Sequence, residues 1–317
     1  MTLNFRHSVV ICTQSRTGDL LTLINSIESL ASSTQLEIIV VENSGDKNQY
    51  NLLATKLEQY KNTLNITILI GSPGLTRSRN LALAKITEGI VHFVDDDLIM
   101  ISDYFEVADK HFKDKPDLAG IAPYIDSPVV NGSTNKLQSK VKSICIKHLN
   151  LEGKLTRSGR AFWLVNPNQT IEVDWLPGCS MSYRFELIGD LRFSECLEKG
   201  PLGGYALGED VDFSSSMKEK GGLEAIGGVT VIHKLALNNR RNWQLMDEGI
   251  GRWLAYLQRT KPKLVNKNVV FTFLILDSIK IQLANVNAIF KKDKKHRKSL
   301  RRLRSYKAEV LNPTLIK

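Results

Sequence analysis

The chain has 317 residues, of which 42% are hydrophobic and 24% charged, a composition that indicates a globular protein and excludes a disordered or fibrous one. Its four cysteines are far apart and form no CxxC pair, which argues against a disulfide framework or a zinc knuckle. The net charge is +10, but ten Lys or Arg against one Asp between Lys291 and Lys307 supply +9 of it, so the first 290 residues are near neutral.

Four short runs rich in β-branched residues occupy the first 115 residues, and segments with helical spacing of apolar residues separate them. The runs are HSVVICT (7–13), LEIIVVE (36–42), NITILIG (65–71) and GIVHFVD (89–95). This alternation predicts βαβ units and a mostly parallel sheet flanked by helices. Ligands of such sheets bind at the carboxyl ends of the strands, so the polar residues that follow each run are candidate site residues.

The rest of the chain is less regular. Residues 116–170 contain loop signals such as SPVVNGSTN (127–135), and two further strand candidates are IEVDWLPG (171–178) and GVTVIHK (228–234). Beyond Asn238 the pattern is helical to the end.

Three consecutive carboxylates, Asp95, Asp96 and Asp97, follow the fourth run. Carboxylates at a strand end suit a hard divalent cation, with substrate phosphates completing the coordination shell. For an isolated triplet, a turn whose aspartates cap the next helix is the slightly better explanation. The neighbouring motifs favour the metal site.

Six motifs in chain order resemble those of a family 2 glycosyltransferase with the GT-A fold, over about 230 residues. They are CTQSR, VVENSGD with Glu42 where the family usually has Asp, GLTRSRN, the aspartate triplet, GCSMSYR and GEDVDFS. The resemblance implies a Rossmann-like α/β domain with a nucleotide-sugar-binding half (1–115) and an acceptor-binding half (116–237), followed by a helical C-terminal region with a basic tail (238–317).

The resemblance also implies roles for residues that contact the donor. Asp95 meets the ribose or donor sugar, and Asp97 ligates a Mn²⁺ or Mg²⁺ ion that bridges the diphosphate. The other donor-binding residues implied are Thr13, Arg16, Glu42, Arg79 and Asp96, of which Asp96 is the least defined. Arg77 is interpreted as part of a solvated helix face.

The resemblance makes Asp210 of GEDVDFS the base that takes the proton of the acceptor hydroxyl, with Glu209 orienting it or binding acceptor. Acidic residues at a helix N-terminus also suit the helix dipole, and both explanations can hold together. His233 ends the last strand candidate, and a metal-ligand role and a structural role remain equally open for it.

Trp175 and Gly178 are candidate acceptor-binding residues, because the Pro177–Gly178 turn resembles the acceptor loop of the family. A core position is the alternative for Trp175. No base partner is evident for Cys179, which we interpret as a small buried residue.

The C-terminal region carries an apolar stripe at helical spacing, directly before the basic tail. Its residues are Val269, Phe273, Leu276, Ile279, Leu283, Val286 and Phe290. Such a stripe suits either an anionic membrane surface, reached through residues 269–307, or packing on the catalytic domain with a solvated tail. With no signal peptide or spanning helix evident, we expect a cytoplasmic protein, peripheral at most on the inner face of the plasma membrane.

The sequence therefore predicts an inverting, metal-dependent enzyme that moves one sugar from a nucleotide-diphosphate sugar to a glycan or lipid-linked acceptor, in cell-surface polysaccharide synthesis. Two alternatives stay open. A nucleotidyltransferase that makes sugar nucleotides would share the fold, although CTQSRTGD is not its glycine-rich loop. A non-catalytic protein could bind polyanions through the tail, where a single tyrosine gives little support for specific nucleic-acid binding. The oligomeric state, the donor and the acceptor are not defined.

Overall fold

Nine strands form one sheet in the computed structural model, which describes residues 4–30, 36–101, 104–126, 149–165, 168–199, 206–234, 243–284 and 294–311. The strands are β1 His7–Thr13, β2 Leu36–Glu42, β3 Asn65–Ile70, β4 Ile90–Asp95, β5 Leu98–Ile99, β6 Leu118–Asp126, β7 Ile171–Glu172, β8 Ser180–Arg184 and β9 Gly222–His233. The sheet order is β3-β2-β1-β4-β8-β6-β9-β5, with β7 paired to β9.

Helices cover both faces of the sheet. They are α1 Thr17–Glu28, α2 Lys47–Leu57, α3 Leu75–Leu83, α4 Tyr104–Asp114, α5 Phe185–Ile188 and α6 Glu209–Lys218, with 3₁₀ turns at Glu58–Tyr60 and Glu195–Lys199. Buried residues of α1, α2 and α4 pack on one face of the sheet, and those of α3, α5 and α6 pack on the other. Two apolar layers therefore enclose the sheet, as expected for an α/β fold.

The four strands predicted in the first 115 residues are confirmed to within one residue. β1 pairs in parallel with β2 and β4, and β2 pairs in parallel with β3. The second half of the sheet is mixed, because β8 runs antiparallel to both β4 and β6, and β9 runs antiparallel to β5 and β7. The predicted α/β class is correct, and in the second half of the sheet only β6 and β9 pair in parallel.

Three strands, β5, β6 and β8, were not predicted from the sequence. β6 contains Gly120 and Pro123, which weaken a strand pattern. The register between β6 and β9 shifts between Ala122 and Tyr124, which is the position of Pro123. A bulge at that point tolerates the missing N–H of proline inside a sheet. β9 begins six residues earlier than predicted, at Gly222, and the strand candidate 171–178 is a strand only at Ile171–Glu172.

The chain forms two compact units. The first comprises 1–154, 162–193 and 210–239 and contains the sheet; the second comprises 155–161, 194–209 and 240–317. In the second unit, helices α7 Trp243–Thr260, α8 Lys267–Ala284 and α9 Lys294–Leu311 confirm the helical C-terminal prediction. The predicted loop 127–135 and the start of the basic tail, 291–293, lie outside the described residues.

The last half of α9 packs closely on α7. A Cβ at Gly251 would lie 2.2 Å from the carbonyl oxygen of Arg302, so glycine allows the two backbones to approach. Tyr306 is buried and donates to Gln258 Oε1 at 2.6 Å, and Arg259 pairs with Glu309 at 3.2 Å. This part of the basic tail is therefore folded into the second unit and is not a solvated extension. Within the described residues, no helix is both long and apolar enough to cross a bilayer.

Candidate active site

The carboxyl ends of three adjacent strands bring the first predicted site residues together. Thr13 ends β1 and is paired in register with Glu42, the last residue of β2, and Cys12 is paired with Asp95, the last residue of β4. Strand register alone therefore places Thr13, Glu42 and the aspartate triplet at one edge of the sheet, as the parallel pattern predicts.

Asp96 is the fully buried member of the triplet. Its Oδ2 accepts hydrogen bonds from Thr13 Oγ1 at 2.6 Å and from Arg16 Nε at 3.0 Å, and the Arg16 guanidinium also pairs with Oδ1. Burial raises the pKa of Asp96 to about 7 against the lowering effect of Arg16. Asp96 thus holds Thr13 and Arg16, two other predicted donor-binding residues, in position.

Asp97, Asp95 and His233 form the one group of potential metal ligands in the described part of the chain. Their ligand atoms lie within 4.8 Å of one another, and His233 Nε2 is 3.0 Å from Asp97 Oδ1. Strand β9 carries His233 there, because its last residue pairs with Leu98, next to the triplet. Two carboxylates and an imidazole fit a hard or borderline divalent cation such as Mg²⁺ or Mn²⁺.

Positive side chains surround the triplet. Arg16 NH1 lies 3.3 Å from Asp97 Oδ2, and Arg79 NH2 lies 3.7 Å from Asp95 Oδ1. Burial raises the pKa of Asp95, and the charge of Arg79 opposes this shift. These contacts reduce the repulsion that three adjacent carboxylates would otherwise experience.

Glu42 is buried and joins the loops that follow β1 and β2. Oε1 accepts from the backbone N–H of Ser15 at 3.1 Å, and Oε2 accepts from Ser44 N at 3.1 Å and Ser44 Oγ at 2.7 Å. Ser15 has a φ of 55°, in the left-handed region that non-glycine residues rarely adopt. The Glu42 carboxylate therefore stabilises a strained loop directly beside Arg16.

Arg79 lies on α3 and is almost completely buried. Its NH2 donates to the carbonyl oxygen of Gly178 at 2.7 Å, and its guanidinium lies 5.2 Å from the ring centroid of Phe193. Arg79 thus connects the Asp95 side of the site to the predicted acceptor loop. Arg77, two residues earlier, is exposed, as predicted for a solvated helix face.

Asp210 lies in the first turn of α6, beside the predicted acceptor loop. Oδ2 accepts from Gly178 N at 3.0 Å, and Oδ1 accepts from Val211 N at 2.8 Å. Burial raises the pKa of Asp210, and these two hydrogen bonds oppose the shift. Glu209, which begins α6, is buried.

Cys179 lies between the two acidic groups. Its carbonyl oxygen accepts from Asp95 N at 2.9 Å, and the preceding residue, Gly178, donates to Asp210. Burial, together with the carboxylates of Asp95 and Asp210, raises the pKa of the thiol well above its ordinary value. Cys179 is therefore a buried thiol that stays protonated and is not a nucleophile, as predicted.

The sequence profile of "Glycosyl transferase family 2" matches residues 8–187, more than half of the chain. The chain belongs to glycosyl transferase family 2. No curated protein sequence matches it significantly. Family membership makes the protein a glycosyltransferase and decides against the nucleotidyltransferase alternative.

Solved glycosyltransferase structures have the same fold as this family 2 enzyme. S. aureus TarS 1-349 has a TM-score of 0.57 at 16% identity, covering 96% of this chain and 81% of that one. The mannosyltransferase PcManGT from Pyrobaculum calidifontis, in complex with GDP-Man and Mn²⁺, has a TM-score of 0.56 at 13% identity, covering 97% and 87%. GalNAc-T7 with UDP, GalNAc and Mn²⁺ has a TM-score of 0.52 at 13% identity, covering 74% and 44%. At these identities the likeness establishes the GT-A fold.

Several residues of the glycosyltransferase that arrange the site were not identified from the sequence. Ser214 on α6 accepts from Leu176 N at 3.0 Å, and Asn80 exchanges two hydrogen bonds of 2.9 Å with the backbone of Phe193. Asn43 donates to Ser78 Oγ at 2.9 Å and thereby joins the end of β2 to α3. Asn43, Ser78, Asn80 and Ser214 all lie within the quoted motifs VVENSGD, GLTRSRN and GEDVDFS, but the sequence alone assigned no role to them.

Proposed function

We propose that this enzyme transfers one sugar from a nucleotide-diphosphate sugar to a hydroxyl group of a glycan or lipid-linked acceptor, in one step and with inversion, during cell-surface polysaccharide synthesis. One observation carries the proposal. Asp95, a member of the metal-ligand group, donates its backbone N–H to the carbonyl oxygen of Cys179, and the preceding residue, Gly178, donates to the carboxylate of Asp210. Two consecutive residues of the first unit therefore contact both acidic groups. A metal site and a base next to each other are what an inverting transfer needs.

The donor would bind at the ends of β1, β2 and β4. Thr13 and Arg16, held by Asp96, face this edge of the sheet together with the loop that Glu42 stabilises. Arg16 is a third exposed and already lies beside Asp97, so its guanidinium is available to a diphosphate that arrives there. Arg79 is buried, and we assign it to positioning Asp95 and the Gly178 loop.

Asp97, His233 and Asp95 would hold the divalent cation. When bound, a Mn²⁺ or Mg²⁺ ion supplies positive charge that stabilises the leaving diphosphate. The imidazole of His233 favours Mn²⁺ over Mg²⁺, because nitrogen is a poor ligand for the harder ion. PcManGT, whose structure contains GDP-Man and Mn²⁺, supports this choice by its shared fold.

Asp210 would take the proton of the acceptor hydroxyl as that oxygen attacks the anomeric carbon. The raised pKa of Asp210 brings its basicity closer to that needed at neutral pH. Gly178 N fixes one carboxylate oxygen, so the orientation of the base is set before substrate binds. Glu209 is assigned a supporting role next to it.

A panel of nucleotide sugars, including UDP-GlcNAc and GDP-Man, tests the proposal by thermal stabilisation with and without Mn²⁺. We expect at least one donor to raise the melting temperature of the wild type only in the presence of Mn²⁺, and Asp97→Ala and His233→Ala to lose this effect. Glu58→Ala, at an exposed position in the 3₁₀ turn that follows α2, serves as the control. A panel without any stabilising donor would refute the proposal.

We also propose that the second unit docks on an anionic membrane surface. Of the predicted stripe on α8, Val269 and Leu276 are 41% and 57% exposed, whereas the residues that pack inward are Val270 and Leu274. Phe273 is half-buried, and the side chains of Ile279, Leu283, Val286 and Phe290 lie outside the described residues, so two exposed members of the stripe carry this proposal. Lys307 of α9 lies 5.5 Å from the ring of the exposed Phe271, so cationic and apolar side chains share this surface.

A further inference from the structure

Residues 173–178, which include the acceptor loop, run alongside helix α6 and make one hydrogen bond to it in each helical turn. The carbonyl oxygen of Val173 accepts from Lys218 Nζ at 2.6 Å, Leu176 N donates to Ser214 Oγ at 3.0 Å, and Gly178 N donates to Asp210 Oδ2 at 3.0 Å. The three helix residues are four positions apart and so share one face.

Trp175 lies between the first two of these contacts. With a rise of 1.5 Å per residue, it is about 6–12 Å beyond Asp210 along the helix axis. That interval is comparable to the length of one or two pyranose rings. An acceptor chain whose terminal hydroxyl reaches Asp210 can therefore bring its next ring alongside Trp175.

Trp163 is brought to Trp175 by a neighbouring extended segment. Phe162 N donates to Lys154 O at 3.0 Å, and Val165 N donates to Glu152 Oε1 at 2.6 Å. Leu164 is buried, and because side chains alternate in an extended segment, Trp163 is turned outward and is 36% exposed. Its ring centroid lies 5.5 Å from that of Trp175, at an interplanar angle of 82°.

Packing alone does not account for this pair. Trp175 is only 4% exposed, yet its Nε1 has no hydrogen-bond partner among the described residues. A buried indole N–H normally finds an acceptor, since leaving it unpaired is unfavourable. Trp163 adds a large, partly exposed aromatic surface next to the indole ring of Trp175.

We propose that Trp163 and Trp175 form a carbohydrate subsite for the acceptor. The indole of Trp163 stacks on the apolar face of a pyranose ring, and Trp175 Nε1 donates to one of its hydroxyl groups. The subsite rests on the proposed function and narrows its acceptor to a glycan, free or lipid-linked, with at least two sugar rings.

The test uses the full chain with UDP and Mn²⁺ and a panel of methyl glycosides of monosaccharides and disaccharides, which do not absorb near 300 nm, with tryptophan fluorescence as the readout for binding. We expect disaccharides of one stereochemical series to quench the fluorescence and to act as acceptors with the donor found above. Trp163→Ala should raise the KM for these disaccharides about tenfold and leave the donor KM unchanged. Trp163→Phe should restore most of the affinity.

Leu149→Ala, at an exposed apolar residue of the same unit, is the matched control and should change neither constant. The subsite is refuted if no disaccharide quenches the wild type, or if Trp163→Ala affects donor and acceptor KM equally. Failure of the proposed function is a separate result, because Mn²⁺-dependent donor stabilisation does not involve Trp163.

Discussion

Arg16 is bonded to the fully buried carboxylate of Asp96, with its Nε 3.0 Å from Oδ2. The guanidinium is itself a third exposed, so a buried charge orients a cation that solvent and substrate can reach. Asp96 therefore contributes to donor binding through Arg16 and Thr13, without an exposed surface of its own.

Asp96→Asn should weaken donor binding on the order of tenfold while the protein stays folded. The amide oxygen can still accept from Thr13, but the charge that holds Arg16 is lost. Isothermal titration with the stabilising nucleotide sugar and Mn²⁺ measures the change, with Asp212→Asn on α6 as control. An unchanged donor affinity would show that Arg16 keeps its orientation without Asp96.

Asp210→Asn should lower kcat by about 10²–10⁴-fold, because an amide cannot accept the proton of the acceptor hydroxyl. Its oxygen can still accept from Gly178 N, so the loop and the donor site should be preserved. The measurement is steady-state transfer together with donor-induced stabilisation. Full activity with Asp210→Asn would remove Asp210 as the base, and Asp212→Asn should behave like the wild type.

The part of the fold that local patterns could predict is the half where each strand is a continuous apolar run, β1 to β4. β6 was missed because Gly120 and Pro123 are unusual in a buried central strand. The bulge against β9 is what allows a proline at this position. The motif residues at the strand ends were identified from the sequence, but the role of each depends on whether its side chain is buried. Asp96 and Arg79 bind other protein groups. Trp163 was missed because no sequence pattern indicates that its ring packs against that of Trp175.

The free energy of unfolding should decrease as the pH falls below about 6.5. His7 and His92 are fully buried, with His7 Nδ1 2.8 Å from His92 Nε2; His7 Nε2 is 3.2 Å from Asp109 Oδ1, and His92 Nδ1 is 2.6 Å from Ser182 Oγ. Burial lowers the pKa of both histidines from the ordinary 6.5. The unfolded chain therefore binds protons that the folded chain does not, and stability is lost between pH 6.5 and the lower folded values.

Each histidine that stays neutral should contribute about 1.4 kcal/mol per pH unit to this loss. Urea unfolding at pH 8 and at successively lower pH values measures the slope. His92→Asn, which keeps a polar atom near Ser182, should be less stable at pH 8 but should show a shallower slope. An identical slope in the variant would assign the pH dependence to other groups.

Membrane docking predicts binding to vesicles that contain phosphatidylglycerol and not to vesicles of phosphatidylcholine alone, as measured by co-sedimentation. Lys307→Ala should reduce binding on the order of fivefold, since a basic residue near an anionic surface contributes about 1 kcal/mol. Leu276→Ser should reduce it at least as much, because its side chain is 57% exposed and is free to enter the interface.

Leu52→Ser, at an apolar residue of α2 that is 46% exposed, is the matched control and should bind like the wild type. Added salt separates the electrostatic from the apolar contribution to vesicle binding. Screening weakens the contribution of Lys307 and leaves the contribution of Leu276 unchanged. Binding that salt abolishes and that Leu276→Ser does not change would indicate simple polyanion attraction by the basic tail. In that case the exposed stripe of α8 would need another partner, and the membrane proposal would fail.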